Sequence, residues 1–379
     1  MGNFRKNEYL YFEFLLCMKF ILYIVFSFSI YYASSLSHID SLWTVWQNTN
    51  NHDTIRLDAL KRYAWEGHIY MNPDSAFYYS QVQYDFAENK GLKKYMASAL
   101  NTQGAVKNIL GEVVESKELF KASVELQLEI GNKIGAAAGY SNLGMIADGS
   151  GDYKSAADYY YKALNILEKT DELVKLAQIY NNLGVLYNRQ KMYDLSIEFH
   201  NKSLVLKKKS KNKIEIGTAL MNLGALYGDK KQYKLSISYY EKAYVLFKEA
   251  NYIKGIGLYF MNIGNINYAK DKFELCLDQY LKALDFFTKI DDEQYIAIVN
   301  TQIGGAYYQL KAYKLSEMYL TSGLETALKY DISYSAVEAS KLLYQVHKES
   351  NDYRQGKRII KLEFFLNNYC PSQLSYVLT

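Results

Sequence analysis

The sequence predicts an all-α protein: an α-solenoid of about eight helical hairpins. Three observations indicate this fold. A pattern of residue types returns every 40 positions, each copy holds two apolar helical faces, and only two prolines occur in 379 residues. A fixed period in this range is typical of repeat proteins, in which each copy packs against its neighbours. Because one copy cannot bury its apolar face alone, several copies must stack.

Columns of similar residues carry the repeat. Five copies share a glycine, an aromatic residue nine positions later, and small residues twelve and nineteen positions later. The glycines are Gly144, Gly184, Gly224, Gly264 and Gly304, and the aromatic residues are Tyr153, Tyr193, Tyr233, Phe273 and Tyr313. The small residues are Ala156, Ser196, Ser236, Cys276 and Ser316, followed by Ala163, Ser203, Ala243, Ala283 and Gly323. A glycine inside a helix costs about 1 kcal/mol relative to alanine. Its return in copy after copy therefore predicts that two helices pack closely there.

The copy from Ala177 to Ile216 shows how one hairpin is built. Apolar and small residues three or four positions apart between Ala177 and Tyr187 form one helical face. The polar run from Asn188 to Lys191 interrupts this face and predicts a turn. A second apolar face follows between Leu195 and Leu206, so each copy is predicted to be two helices joined by a turn.

The columns resemble the tetratricopeptide repeat (TPR), in which aromatic, leucine, glycine, tyrosine and small residues recur at set spacing. In one copy the matching residues are Tyr180, Leu183, Gly184, Tyr187, Ser196, His200 and Ser203. The usual repeat has about 34 residues, whereas this one has 40, so we expect longer helices in each hairpin. The resemblance implies that the hairpins wind into a right-handed superhelix. It also implies a module that binds a protein or peptide partner in the concave groove lined by the first helices.

Counting in steps of 40 divides the chain into segments. Repeat starts fall near residues 57, 97, 137, 177, 217, 257, 297 and 337. The predicted solenoid covers residues 57–372, preceded by a mostly polar linker at 38–56 and followed by a tail at 373–379. The first and last copies fit the columns loosely, which is typical of the capping copies of a repeat array.

Residues 1–37 are predicted to be a signal peptide or an N-terminal membrane anchor. Phe20 to Ala33 is an uncharged apolar run with Lys19 before it and serines after it, which is the layout of a secretory signal. The run is shorter than the roughly 20 residues of a membrane span, but further apolar residues upstream leave an anchor over 9–36 open. The prediction is therefore export across an inner membrane to the periplasm or cell envelope, or association with the membrane. Met1 and Met18 are both possible starts.

A second resemblance concerns the N-terminal region. Asp58–Leu60, Asn72–Tyr78 and Met96–Gly104 are similar to the exported sensor halves of Bacteroidetes-type signalling proteins. Those proteins continue into a membrane helix and a cyclase, histidine kinase or DNA-binding output domain, which is missing here. The resemblance implies an adaptor or the sensing part of a bacterial signalling system. The alternative is a structural scaffold that assembles envelope proteins through its caps or convex face.

The sequence shows no pattern of a catalytic, cofactor or metal site, and we predict a protein that is not an enzyme and needs no cofactor. The three cysteines and five histidines lack metal-ligand spacing, and no phosphate-binding loop or serine nucleophile motif occurs. Cys276 lies in a small-residue column and His200 in an aromatic column, so both are predicted to serve packing. The net charge of +4 is small for this length and argues against nucleic acid as a partner.

The candidate binding site is a column of amides on the first helix of each copy. Its members are Asn142, Asn182, Asn222, Asn262 and Gln302, and nearby polar positions assigned to the same groove are Gln178, Asn181, Asn188 and Asn265. A carboxamide carries both a donor and an acceptor. A row of them suits the repeating backbone of an extended peptide. The alternative interpretation is that the column hydrogen-bonds to the neighbouring helix or to water.

Overall fold

The structure, a computed structural model, describes residues 38–330 and 332–350. Within these ranges all regular secondary structure is α-helical, which confirms the predicted fold class. The chain divides into two compact units, one up to Asn132 and the other from Lys133 onward. The handedness of the superhelix stays a prediction.

The first unit holds five helices in its described part. They are α1 (38–47), α2 (Asp53–His68), α3 (Pro73–Asn89), α4 (Lys93–Ile109) and α5 (Val113–Glu129). Asn72 caps α3 by accepting a hydrogen bond from the backbone N–H of Ser75, and Pro73 occupies the first turn as expected. Helices α2 and α3 form one hairpin, and α4 and α5 form the next.

The N-terminal segment differs from its prediction. Residues 38–56 were expected to form a linker, but 38–47 are helical and α2 already begins at Asp53. The ring of Trp43 contacts that of Tyr63 at a centroid distance of 5.0 Å, and the ring of Trp46 contacts that of Phe86 at 5.2 Å. Two tryptophans three positions apart lie on one side of a helix, and this spacing outweighs the polar composition of the segment.

The second unit contains eleven helices among the described residues. They are α6 (Lys133–Gly149), α7 (Tyr153–Leu167), α8 (Leu173–Arg189), α9 (Tyr193–Ser210), α10 (Lys213–Asp229), α11 (Tyr233–Glu249), α12 (Ile253–Tyr268), α13 (Phe273–Thr288), α14 (Glu293–Gln309), α15 (Tyr313–Lys329) and α16 (Ser333–Glu349). Even-numbered helices are the first helices of hairpins and odd-numbered ones the second. Each first helix begins four residues before the repeat start counted from the sequence, as at Leu173 rather than Ala177.

A residue in the left-handed conformation marks most turns, at steps of 20 residues. The positive-φ residues are Gly91, Gly111, Gly131, Gly151, Lys191, Lys211, Lys231, Asn251, Asp271, Asp291 and Lys311. Glycine adopts this conformation without steric cost, whereas a residue with a Cβ atom is strained in it. The repeated feature is therefore the backbone shape of the turn.

The glycine column makes room for a ring from the second helix of the same hairpin. A Cβ atom added to Gly224 would lie 2.5 Å from the ring of Tyr240, and one added to Gly184 would lie 2.7 Å from the ring of His200. Real Cβ atoms do not approach other atoms this closely, so an alanine requires the ring to move. The predicted close approach is confirmed, and it is a contact between a helix backbone and a side chain sixteen residues later.

The small-residue column forms a hydrogen bond back to that glycine. Serine Oγ donates to the glycine carbonyl oxygen in four copies: Ser116 to Gly104 at 2.7 Å, Ser196 to Gly184 at 2.7 Å, Ser236 to Gly224 at 2.7 Å and Ser316 to Gly304 at 2.8 Å. We call the glycine, the ring and the small residue together the hairpin joint. At the same position Cys276 is fully buried and its burial raises the pKa of the thiol to about 12, so its predicted packing role is confirmed.

Apolar clusters run through the second unit and join first helices to neighbouring second helices. Leu183 and Leu186 of α8 pack with Leu167 of α7, and Leu223 of α10 packs with Phe247 of α11. Among the described residues no helix is both long enough and apolar enough to pass through a lipid bilayer. The predicted signal segment at 1–37 and the end of the last copy lie outside these residues.

Candidate functional site

Polar side chains link consecutive first helices of the second unit at an offset of 41 residues. The hydrogen bonds run from Asn182 Nδ2 to Ser141 Oγ at 3.5 Å, from Asn222 Nδ2 to Asn181 Oδ1 at 2.7 Å, from Asn188 Nδ2 to Asp229 Oδ2 at 2.9 Å and from Gln309 Nε2 to Tyr268 Oη at 3.3 Å. An ion pair at the same offset joins Arg189 Nη1 to Asp148 Oδ2 at 3.3 Å. We call this set the inter-helix array.

Two of the five members of the predicted amide column, Asn182 and Asn222, belong to this array. Asn182 is buried and accepts a hydrogen bond from Gln178 while it donates to Ser141. Asn222 donates to Asn181 on the preceding first helix. These contacts correspond to the alternative interpretation, in which the amides hold the neighbouring helix.

The later members of the column make different contacts. Asn262 donates to the carbonyl of Leu258 in its own helix at 2.8 Å and lies 3.4 Å from the hydroxyl of Tyr240, which donates to it. Gln302 donates to Asn265 Oδ1 at 3.1 Å. Asn265 Oδ1 also accepts from Tyr280 Oη, at 2.8 Å. Asn142 lies half-buried on α6.

A cavity of about 420 Å³ lies across α8, α10 and α12, and we call it the first cavity. Its lining residues are Val185, Asn188, His200, Asn222, Ala225, Gly228, Asp229, Tyr233, Tyr240, Asn262, Asn265, Ile266 and Ala269. Three consecutive first helices thus line it, together with rings of α9 and α11.

A second cavity of about 260 Å³ adjoins it and shares Asn265. It is lined by Asn265, Tyr268, Tyr280, Ile298, Thr301, Gln302, Gly305, Tyr334, Ser335, Glu338 and Leu342. Of the predicted groove residues, Asn188, Asn222, Asn262, Asn265 and Gln302 line one or both cavities, whereas Asn142, Gln178, Asn181 and Asn182 line neither. The two cavities together are the candidate binding groove.

This architecture matches a known family of repeats. Residues 95–169 and 175–249 match the family model described as tetratricopeptide repeat. These two stretches carry tetratricopeptide repeats. No curated protein matches the sequence.

Solved structures with TPR-type folds are similar to the chain at low sequence identity. The apo form of RapI is 13% identical with a TM-score of 0.59, and the match covers 89% of this chain and 98% of RapI. A Rap protein complexed with competence and sporulation factor is 13% identical with a TM-score of 0.50, covering 84% of this chain and 99% of the other. A signal transduction ATPase with a TPR sensor from Pyrococcus horikoshii is 17% identical with a TM-score of 0.55, covering 91% and 54%. These likenesses extend the repeat fold over most of the chain.

His200 lines the first cavity of the candidate binding groove and is part of a hairpin joint. Its side chain is 4% exposed and packs on Gly184, which confirms the packing role predicted from its column. Burial lowers the pKa of His200 to about 4, and the positive charge of Lys207 contributes. The imidazole is therefore neutral at physiological pH.

The candidate binding groove is lined by two charged side chains, and both are acidic. Asp229 is the charged residue of the first cavity and Glu338 that of the second, while no lysine or arginine lines either one. Within 38–330 and 332–350, no cluster of three or more His, Cys, Asp or Glu residues could hold a metal ion. The groove offers hydrogen-bonding groups, aromatic rings and negative charge, which are means of binding.

The ion pair between Asp148 and Arg189 was not foreseen from the sequence. The two side chains are only 9% and 12% exposed, and burial raises the pKa of Asp148 even though Arg189 opposes the shift. The predicted turn at Asn188–Lys191 starts two residues too early, because α8 continues to Arg189 and its polar residues face neighbouring first helices. The sequence feature that could have indicated this ion pair is an acidic and a basic residue 41 positions apart on consecutive first helices.

Proposed function

We propose that this chain is a non-catalytic module that binds an extended segment of a protein partner in the groove formed by the two cavities. The observation that carries the proposal is the first cavity, which crosses three consecutive repeats and is walled by amide side chains. TPR-type neighbours support a binding or regulatory role, since one is complexed with competence and sporulation factor and another is a signal transduction ATPase with a TPR sensor.

The groove offers hydrogen-bonding groups that the fold itself leaves unused. Oδ1 of Asn188 is buried and accepts no hydrogen bond from the described residues. Its orientation is fixed, because Nδ2 donates to a carboxylate oxygen of Asp229 that can only accept. A buried acceptor without a donor costs about 1–3 kcal/mol, and a ligand that draws this amide toward the cavity and donates a hydrogen bond to its oxygen would remove this cost.

A groove-blocking variant tests the proposal. Ala225 lines the first cavity and is exposed, so Ala225→Trp fills the groove without entering the apolar core. Val245→Trp on α11 is the matched control, because Val245 is 53% exposed and lines neither cavity. Random dodecapeptides displayed on phage are selected against the parent, and the affinity of the enriched peptides is measured by calorimetry. We expect binding to survive in the Val245 variant and to be lost in the Ala225 variant; equal binding by both would remove the groove from consideration.

A structural scaffold is the second candidate function, and one surface feature favours it. Leu235, Leu275 and Leu315 occupy equivalent positions of α11, α13 and α15 and are 40%, 54% and 43% exposed. A repeated apolar residue on consecutive second helices is suited to contact with other proteins. Replacing all three by Ser should dissolve large assemblies in sedimentation experiments if the scaffold role is correct, while leaving peptide binding unchanged.

We further propose that the module is exported and serves as an adaptor or as the sensing part of a signalling system. The apolar run from Phe20 to Ala33 and the serines after it support export. N-terminal sequencing of protein recovered from the cell envelope tests this. We expect a mature chain that starts near Leu36 or His38, and an intact Met1 in a membrane fraction would indicate an anchor instead.

A further inference from the structure

The two cavities of the groove share a chemical pattern. Each is lined by one carboxylate, Asp229 or Glu338, by tyrosine rings, and by a side-chain amide whose oxygen is buried without a hydrogen-bond donor among the described residues. These amide oxygens belong to Asn188 and Gln302. The charged and acceptor groups are thus arranged for a donor that carries positive charge.

We propose that the segment bound in the groove carries at least two basic side chains, lysine or arginine, one for each cavity. This inference rests on the proposed peptide-binding function and adds the chemistry of the ligand. Neither cavity is lined by a lysine or arginine of the chain itself, so the carboxylates face no competing cation within their walls. An ammonium or guanidinium group meets a carboxylate and ring faces there, and a turn of the amide toward the cavity adds its oxygen. Each of these groups favours a cation.

The chain uses the same arrangement for two of its own lysines. Lys254 Nζ lies 2.9 Å from Asp292 Oδ2 and 4.7 Å from the ring centroid of Tyr295. Lys230 Nζ lies 3.2 Å from Asp194 Oδ1 and 5.9 Å from the ring of Tyr193. An aspartate beside a tyrosine therefore holds a lysine twice within this unit, whereas Asp229 has a tyrosine-lined cavity beside it and no ion-pair partner among the described residues.

One lysine of the chain, Lys270, lies near the first cavity. Lys270 Nζ is 6.0 Å from the ring centroid of Tyr233, which lines that cavity, but it makes no ion pair with Asp229. Its positive charge repels a basic group bound in the first cavity, because the charges are close compared with the screening length of roughly 8–10 Å in physiological salt. Its removal should therefore strengthen binding, in the direction opposite to the loss of either carboxylate.

The experiment starts from random dodecapeptides displayed on phage and selected against the full chain, with the Ala225→Trp variant as counter-selection. We expect the enriched sequences to carry two or more Lys or Arg residues well above their frequency in the library. Enrichment of peptides without basic residues would overturn the inference and leave the groove function intact. Equal enrichment on the Ala225→Trp variant would overturn both.

Variants of the charged groups then assign the contacts. Asp229→Asn and Glu338→Gln should each lower the affinity for an enriched peptide about tenfold, which is about 1.4 kcal/mol, and the double variant about a hundredfold. Lys270→Gln should raise it several-fold. Asp158→Asn is the matched control, because Asp158 is exposed on α7 and lines neither cavity. The same peptide with Gln in place of its basic residues should bind all variants equally, and unchanged affinity in both carboxylate variants would refute the proposal.

Discussion

The hairpin joint and the inter-helix array are built from the same first helices but differ in uniformity. In the joint, glycine, ring and small residue recur with little change, and a serine bonds to the glycine carbonyl in four copies. In the array, the partners change from copy to copy: amide to hydroxyl, amide to amide, amide to carboxylate and guanidinium to carboxylate. The joint holds the two helices of each hairpin together. The array is the part that can differ between repeats without loss of the fold, and the binding groove lies beside it.

The largest effect should come from the buried ion pair of the array. Arg189→Met leaves the carboxylate of Asp148 buried without its partner, and breaking such a pair costs about 3–5 kcal/mol. Asp148→Asn combined with Arg189→Met should recover most of this loss, because no charge is then buried. Urea unfolding at pH 7 measures both, and a single variant within 1 kcal/mol of the parent would show that solvent reaches the pair.

The same variant should respond to pH in a defined direction. The pKa of Asp148 is raised in the folded protein, chiefly by burial, so the folded state binds the proton more tightly than the unfolded state does. Without Arg189 this shift increases. The variant should therefore become more stable relative to the parent as the pH falls from 7 toward 5.

The joint contains one titratable exception, His200, where other copies have Tyr160, Tyr240 and Tyr280. Its folded pKa of about 4 lies below its ordinary value of 6.5, so its contribution to stability is present above pH 6.5 and is lost as the pH falls toward 4. His200→Tyr should remove roughly 2–3 kcal/mol of this acid sensitivity, and Tyr240→His should introduce it. Unfolding free energies that fall in parallel with pH for the parent and His200→Tyr would contradict this account.

A matched pair of glycines in α10 isolates the steric part of the joint. Gly224→Ala forces Tyr240 to move and should cost about 1–3 kcal/mol. Gly228→Ala, one turn later, meets only Ser236 Oγ at 3.4 Å and should be neutral or stabilising by up to about 1 kcal/mol. Thermal melts of the two variants compare them directly; equal melting temperatures would mean that the ring moves freely.

The smallest effect concerns the turns. Lys231 has a φ of 57°, and Lys231→Gly should stabilise the protein by up to about 1 kcal/mol because glycine adopts this conformation without strain. Gly151→Ala, at the equivalent position of an earlier hairpin with a φ of 76°, should cost a similar amount. Chemical denaturation of both variants provides the check, and a destabilised Lys231→Gly would indicate that its side chain contributes contacts.

The sequence was sufficient for the fold where a physical constraint leaves few residue types. A bulky side chain over a helix backbone requires glycine: a ring lies over Gly144, Gly184, Gly224 and Gly264, and Leu320 lies over Gly304. This requirement makes the glycine column visible in the sequence. The array gave a weaker signal, because amides, hydroxyls and charged groups replace one another there, and Arg189 was consequently placed in a turn. The cavities could not be predicted at all, since they depend on how residues such as Asn188 and Tyr240 from different repeats come together. The spacing of Trp43 and Trp46 indicates a helix, but the polar residues around them led instead to the prediction of a linker.

The offset of 41 residues has an evolutionary consequence. Every bond of the array joins a residue to the position next to its counterpart in the adjoining copy, so duplication or loss of a whole copy keeps the two linked positions side by side across the junction. Insertion of a single residue would instead misalign each bond across that junction at once. Such a chain changes length in units of a complete hairpin, and each added unit extends the surface available to a ligand without altering the units already present.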